Sequence, residues 1–133
     1  MRHKICAAAI AVTTLFASAS LWAHHSTSAV FDMSKRLTLS GMLTKVDWVN
    51  PHIVVFIDAK GNGGKAEAWT WESNPPSWFR RVGAARKDFA KGIGQTVKVE
   101  GLRAKDGSLY GYLQKITFAD GSSMELANPS EAR

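Results

Sequence analysis

Cysteine is nearly missing from this sequence: Cys6 is the only one. It opens an apolar run, Ile5 to Phe16, behind the basic stretch Met1-Arg2-His3-Lys4, and small residues follow the run. That order is the layout of a secretory signal peptide, so Cys6 is expected to leave with it. Its place at the start of the run, rather than the end, does not suit a lipoprotein acylation site. The mature chain is then free of disulfides, thiolate metal sites and cysteine nucleophiles, and relies on its core and on histidine, methionine or oxygen chemistry. Long apolar stretches are also missing, and the N-terminal one is too short and wrongly flanked to cross a bilayer. No transmembrane segment is expected, and the localisation read from these features is periplasmic.

Acidic residues are scarce, with 11 Asp and Glu against 17 Lys and Arg for a formal charge of +6; removing Arg2 and Lys4 leaves +4. The excess is spread along the chain apart from Arg80-Arg81 and Arg86-Lys87, which reads as a solvated basic surface, and no nucleic acid is expected in that compartment. The carboxylates are scattered, and none is paired at a spacing that implies acid/base catalysis. Gly-x-Ser-x-Gly, phosphate-loop and zinc-protease motifs are absent. With 133 residues, one small domain is expected, binding rather than catalytic.

Two cleavage sites compete. Ala17-Ser18-Ala19 fits the small-x-small rule better, whereas Leu21-Trp22-Ala23 places the cut just before His24-His25. The second gives a domain plan of signal peptide 1–23, N-terminal arm 24–36 with Val30 and Phe31 as anchors, a β domain over 37–127 and a flexible tail 128–133.

Within the domain the hydrophobic pattern has period two. Leu37 to Trp48 reads as one long strand, its parity interrupted at Gly41 as by a bulge or bend, and Asn50-Pro51 ends it. His52 to Asp58 is a second strand before the Gly61-Asn62-Gly63-Gly64 turn, and Ala66 to Glu72 is a third, with Trp69 and Trp71 on one face. Ser73-Asn74 offers an N-cap to a short helix, Pro75 to Val82, closed by Gly83. After a basic loop, Thr96 to Arg103 and Leu109 to Phe118 form a hairpin across Asp106-Gly107, and Asp120-Gly121 leads to a last strand near Met124 to Leu126. The predicted fold class is all-β and mainly antiparallel: a small OB-fold-like barrel of five to six strands with one short helix. An open antiparallel sandwich is the alternative.

Three histidines remain in the mature chain: His24, His25 and His52. Cleavage after Ala23 gives His24 both an α-amino nitrogen and an imidazole for one metal ion, a chelate suited to Cu(II), and His25 or His52 would complete a nitrogen-rich set. Copper or another divalent metal is therefore the candidate cofactor. An N-terminal His pair also arises from signal-peptidase tolerance alone, and a strand-start histidine is commonly structural. Met33, Met42 and Met124 are further soft donors, for which core packing is the simpler role. Asp47 is a candidate to orient His52.

Ala23-His24-His25-Ser26, Phe31-Asp32, the stretch from Leu39-Ser40-Gly41 to Asp47-Trp48-Val49-Asn50-Pro51-His52, and Val99-Glu100-Gly101 to Asp106-Gly107-Ser108 carry a resemblance. The chain resembles the small exported bacterial proteins of DUF6152, with the HHS start and W-x-N-P-H as its most specific parts. Gly94-Gln95 departs from the usual Gly-Asp before the fourth strand. The resemblance implies a secreted, β-rich domain cleaved before His24, and brings no activity. The strand order is also similar to that of small periplasmic copper chaperones with an OB-fold, whose Met- and His-rich motifs do not map onto this chain.

Three functions follow. The first is a periplasmic domain binding copper or a related metal through His24, His25 and His52. The second is an OB-type binder of a periplasmic protein partner or an anionic polymer through an aromatic and basic face of Trp69, Trp71, Arg80 and Arg81, with Arg86 and Lys87. The third, an N-terminal-histidine copper oxidase or monooxygenase, lacks a legible substrate groove.

Overall fold

The computed structural model describes residues 26–127. The expected signal peptide, His24, His25 and the tail from 128 lie outside the described residues. Six strands run in the order β1 (Phe31–Asp47), β2 (Val54–Lys60), β3 (Ala66–Glu72), β4 (Thr96–Ala104), β5 (Tyr110–Thr117) and β6 (Ser123–Glu125). Neighbours pair as β3-β2-β1-β4-β5-β6, and a parallel contact between β3 and β5 closes the first five into a barrel. The closed OB-type barrel is therefore correct and the open sandwich is not.

β1 makes closure possible because it belongs to both halves of the barrel. Its first part pairs with β4 from Arg36↔Leu102 to Met42↔Thr96, and its second with β2 from Gly41↔Ala59 to Asp47↔Val54. At the overlap, a Cβ on Gly41 would stand 2.5 Å from the Asp58 carbonyl oxygen and 2.7 Å from Ile57 Cγ2, so only glycine lets the strands meet. The extra residue is not Gly41, however. The register shifts between Leu43 and Lys45, so the bulge falls at Thr44. That insertion explains the broken parity: Leu37, Leu39 and buried Leu43 face inward, and after Thr44 the inward positions resume at Val46. Lys45 faces out, its ammonium 5.2 Å from the Phe56 ring centre.

β1 also begins six residues before the expected Leu37. Phe31 is buried and packs on Tyr110 and Tyr112 at ring separations of 5.2 and 5.5 Å. A single helical turn, α1 (Thr27–Val30), precedes it. The Lys105 backbone N–H donates to the Val30 carbonyl at 3.0 Å and Lys105 Nζ to the Ser28 carbonyl at 2.6 Å. The stretch expected to be an N-terminal arm anchored by Val30 and Phe31 is tied to the barrel from residue 28 onward.

The connection from β3 to β4 holds two short helices, α2 (Pro76–Arg81) and α3 (Arg86–Ala90), where one was expected. α2 closes as predicted, with Gly83 at φ +79 and the Ala84 N–H on the Phe79 carbonyl at 2.8 Å. Ser73 does not cap it. The Ser73 hydroxyl is buried and donates to the Leu113 carbonyl on β5 at 3.2 Å, and Asn74 Nδ2 donates to the Leu126 carbonyl at 2.9 Å. α3 occupies the expected basic loop, started by the Asp88 carboxylate accepting the Ala85 N–H at 2.9 Å. The helices carry Phe79 and Phe89 into the core, stacked at 5.7 Å, and Trp48 stands edge-on to both.

Three Asp-x-Ser triplets fasten irregular backbone. In each, the aspartate accepts the serine's N–H and hydroxyl: Asp32 from Ser34, Asp106 from Ser108 and Asp120 from Ser122. These hydrogen bonds hold all three carboxyls below their ordinary value; for Asp120, which also meets Lys91, the fall is from 3.8 to about 2. A carboxyl whose folded pKa lies below its unfolded one stabilises the fold above the unfolded value and loses that contribution as pH falls through the folded one. Stability is therefore expected to drop on acidification from about pH 4 toward the Asp120 value. NMR titration of the carboxyl carbons should place the Asp120 midpoint near 2, and an ordinary aspartate midpoint would remove this acid sensitivity.

Candidate functional site

His52 lies in the turn after the cis Asn50–Pro51 peptide, two residues before β2 rather than within it. The β2–β3 hairpin sets its surroundings. Val54 pairs with Glu72, the Ser73 N–H donates to the Ile53 carbonyl at 2.9 Å, and the Ile53 N–H to the Asn74 carbonyl at 3.3 Å. This ladder carries the Ser73 carbonyl to within 3.0 Å of His52 Nδ1 and the Glu72 carboxylate to within 3.3 Å of the same nitrogen. A carbonyl oxygen only accepts, so Nδ1 carries a proton, and in the neutral ring the lone pair then lies on Nε2. The ring is 39% exposed on its side chain, which leaves it accessible from solvent.

Glu72 is held from the other side by the Tyr110 hydroxyl, which donates to Oε2. Burial, reinforced by that carboxylate, pushes the Tyr110 phenol well above its ordinary value, so it stays a donor throughout the physiological range. Tyr110 is placed by β5 through its parallel pairing with Thr70, and its ring is backed by Phe31. Tyr110, Glu72 and His52 thus form a chain of fixed polar groups along a cleft of about 330 Å³, whose wall also includes Ser26, Thr27 and Pro51.

Such an arrangement suits an imidazole that ligates through Nε2 while carbonyl and carboxylate orient its other nitrogen. Among the described residues, no group of three or more His, Cys, Asp or Glu stands together as a metal site. His52 has Glu72 beside its Nδ1 there. Asp47 is not the orienting group expected: its carboxylate accepts from Lys45 Nζ at 2.8 Å. Glu72 takes that role, and the signal for it was the hairpin register, since counting outward from the Gly61–Gly64 turn sets Val54 opposite Glu72. Met33 and Met42 are exposed on β1, and Met124 packs on the core.

The aromatic and basic residues are not gathered on one face. Trp69 and Trp71 share a face, as expected, but it is the barrel interior: both are buried, stacked at 5.9 Å, with Arg103 over Trp69 at 5.6 Å. No ligand can stack on rings placed there. Arg80 and Arg81 are exposed in the last turn of α2, Arg81 resting over Trp78 at 5.3 Å. No helix among the described residues is long and apolar enough to cross a membrane. Comparison with curated proteins gives no match. A family model described as "Family of unknown function (DUF6152)" matches residues 11–114, most of the chain, and so the protein belongs to that family.

Proposed function

We propose that this is an exported binding domain whose ligand is a divalent transition metal, Cu(II) in the first instance, held by His52 Nε2 together with His24 and His25. The observation that carries the reading is the tethering of His52 Nδ1 to the Ser73 carbonyl and Glu72 in a cleft that also contains Ser26. Ser26 directly follows His25 in sequence. In this reading the two imidazoles next in sequence, and the amine freed by cleavage after Ala23, join His52 at the cleft. The donor set is nitrogen-rich and lacks thiolate, which suits Cu(II). In this reading Glu72 and Tyr110 do not ligate; they set the tautomer and orientation of His52. The metal itself would supply Lewis acidity or one-electron chemistry, and the protein's part is to bind and orient it.

Cu(II) titration of the processed protein tests this. His52→Ala, or one extra residue ahead of His24, should each weaken binding at least about tenfold, roughly 1.4 kcal/mol. If His52 is only a strand-end packing group, its loss lowers stability and leaves metal affinity unchanged; unchanged affinity in both variants retires the shared site. Mass spectrometry of the mature N terminus tests export, with His24 expected first. An uncleaved cytosolic chain would reject it.

A further inference from the structure

A second cleft, of about 530 Å³, opens where α2 and α3 meet the end of β1 and is lined by Trp48, Pro76, Gly83, Ala84, Arg80 and Arg86 among others. Its wall is rigid. Trp48 is fixed edge-on between Phe79 and Phe89, each at 5.5 Å, and the Arg86 guanidinium sits 5.6 Å from the indole centre.

The cationic side chains around it differ from several lysines elsewhere on the surface. Lys35, Lys45, Lys91, Lys98 and Lys115 each have a carboxylate within 3.4 Å. Among the described residues, no carboxylate pairs with Arg80, Arg81 or Arg86. The one acidic side chain on α3, Asp88, accepts from the Ala85 N–H and forms no ion pair with these arginines. Two guanidinium forks without a carboxylate partner among the described residues therefore flank a pocket whose other walls are indole, proline, glycine and alanine. Guanidinium forks match carboxylate geometry, and an aromatic wall favours a flat apolar body.

We infer that this cleft binds a small organic anion, a carboxylate on a planar apolar body, with the head group between Arg80 and Arg86 and the body against Trp48. It shares no residue with the His52 cleft and does not rest on the metal reading. The ordinary alternative is that the arginines are a solvated face that covers the tryptophan with its alkyl and guanidinium surface.

Fluorescence anisotropy of 2-naphthoate on the processed protein separates the two. 2-Naphthoate is expected to bind, while 2-naphthamide, the same body without charge, and acetate, the head without the body, should each bind at least about tenfold more weakly. Arg80→Gln and Arg86→Gln should each lower 2-naphthoate affinity by a similar factor with the thermal transition unchanged, and Arg81→Gln, outside the cleft, should not. Equal affinity for naphthoate and naphthamide, undiminished affinity in both cleft variants, or no binding of naphthoate would overturn the assignment.

Discussion

Trp71→Ala is expected to bring the domain close to unfolding. Trp71 is fully buried at the seam where β3 meets β5, stacked on Trp69 and opposite Gly111 in the parallel register. Removing so large a side chain from a packed core costs about 3–5 kcal/mol, against a total stability for small domains of about 5–15 kcal/mol. The seam is shaped around this ring: a Cβ on Gly111 would stand 2.5 Å from Trp71 Cζ3, and one on Gly101 would meet the same ring at 3.1 Å. Gly111→Ala should therefore also destabilise, through overpacking by about 1–3 kcal/mol. Trp71 Nε1 is buried with no hydrogen-bond partner among the described residues. Trp71→Phe removes that orphaned donor along with part of the ring, so it should cost clearly less than Trp71→Ala. It also frees space for Gly111→Ala, and the pair together should cost less than the sum of the two. Urea titrations followed by circular dichroism measure all four; a Trp71→Ala loss below about 1 kcal/mol would mean the seam is not packed on this ring.

Phe89→Ala is the second large effect. Phe89 is buried on α3 and meets three rings: Trp48 and Phe118 edge-on at 5.5 and 5.6 Å, and Phe79 stacked at 5.7 Å. Loss of a buried phenylalanine costs about 3–5 kcal/mol, and aromatic pairs add about 0.5–1.5 kcal/mol each beyond area burial, so the upper part of that range is expected. The consequence is also local. Trp48 loses one of the two rings that fix it, so the 2-naphthoate affinity of the remaining folded protein should fall. Copper affinity should not, because the His52 cleft shares no residue with that cluster. Titrating both ligands at low temperature, where the variant stays folded, checks the contrast; parallel loss of both affinities would show that the two clefts are not independent.

Most of the barrel was legible because period-two patterning and turn residues are local signals. The β2–β3 hairpin around Gly61 to Gly64, the β4–β5 hairpin across Asp106-Gly107 and the Gly83 closure of α2 each follow from a few neighbouring side chains. The misses are where distant partners decide. Phe31 reads from sequence only as an anchor of the arm until Tyr110 and Tyr112 arrive from β5, so β1 could not be started there from sequence alone. Ser73 has the chemistry of a helix cap, yet the barrel wall across from it offers the Leu113 carbonyl, and a buried hydroxyl goes where an acceptor is available. α3 has no Ser, Thr, Asp or Asn at its cap position, only Ala85, and its remaining start signal, Asp88 three residues on, was overshadowed by the basic residues around it. At the candidate site, His52 stands out as a rare residue type, but its partner Glu72 is one of 11 scattered acidic residues and becomes visible only through strand register.

The closure of β3 on β5 also dictates an order of events. β1, β2 and β3 can form a meander from residues that are neighbours in sequence, but the contacts Thr70↔Tyr110 and Trp71↔Gly111 need residues near the end of the chain. The first part of β1 likewise waits for β4, since Arg36 pairs with Leu102. A chain emerging N terminus first, from a ribosome or through a membrane pore, therefore exposes the Trp69–Trp71 face and an unpaired edge of β1 until almost all of it is out. Pairings at such separation are slow to form, and an uncovered aromatic strand edge invites intermolecular pairing in the meantime. Truncation before Tyr110 should leave not a smaller barrel but an aggregating meander, and the productive folding step is the late arrival of β5.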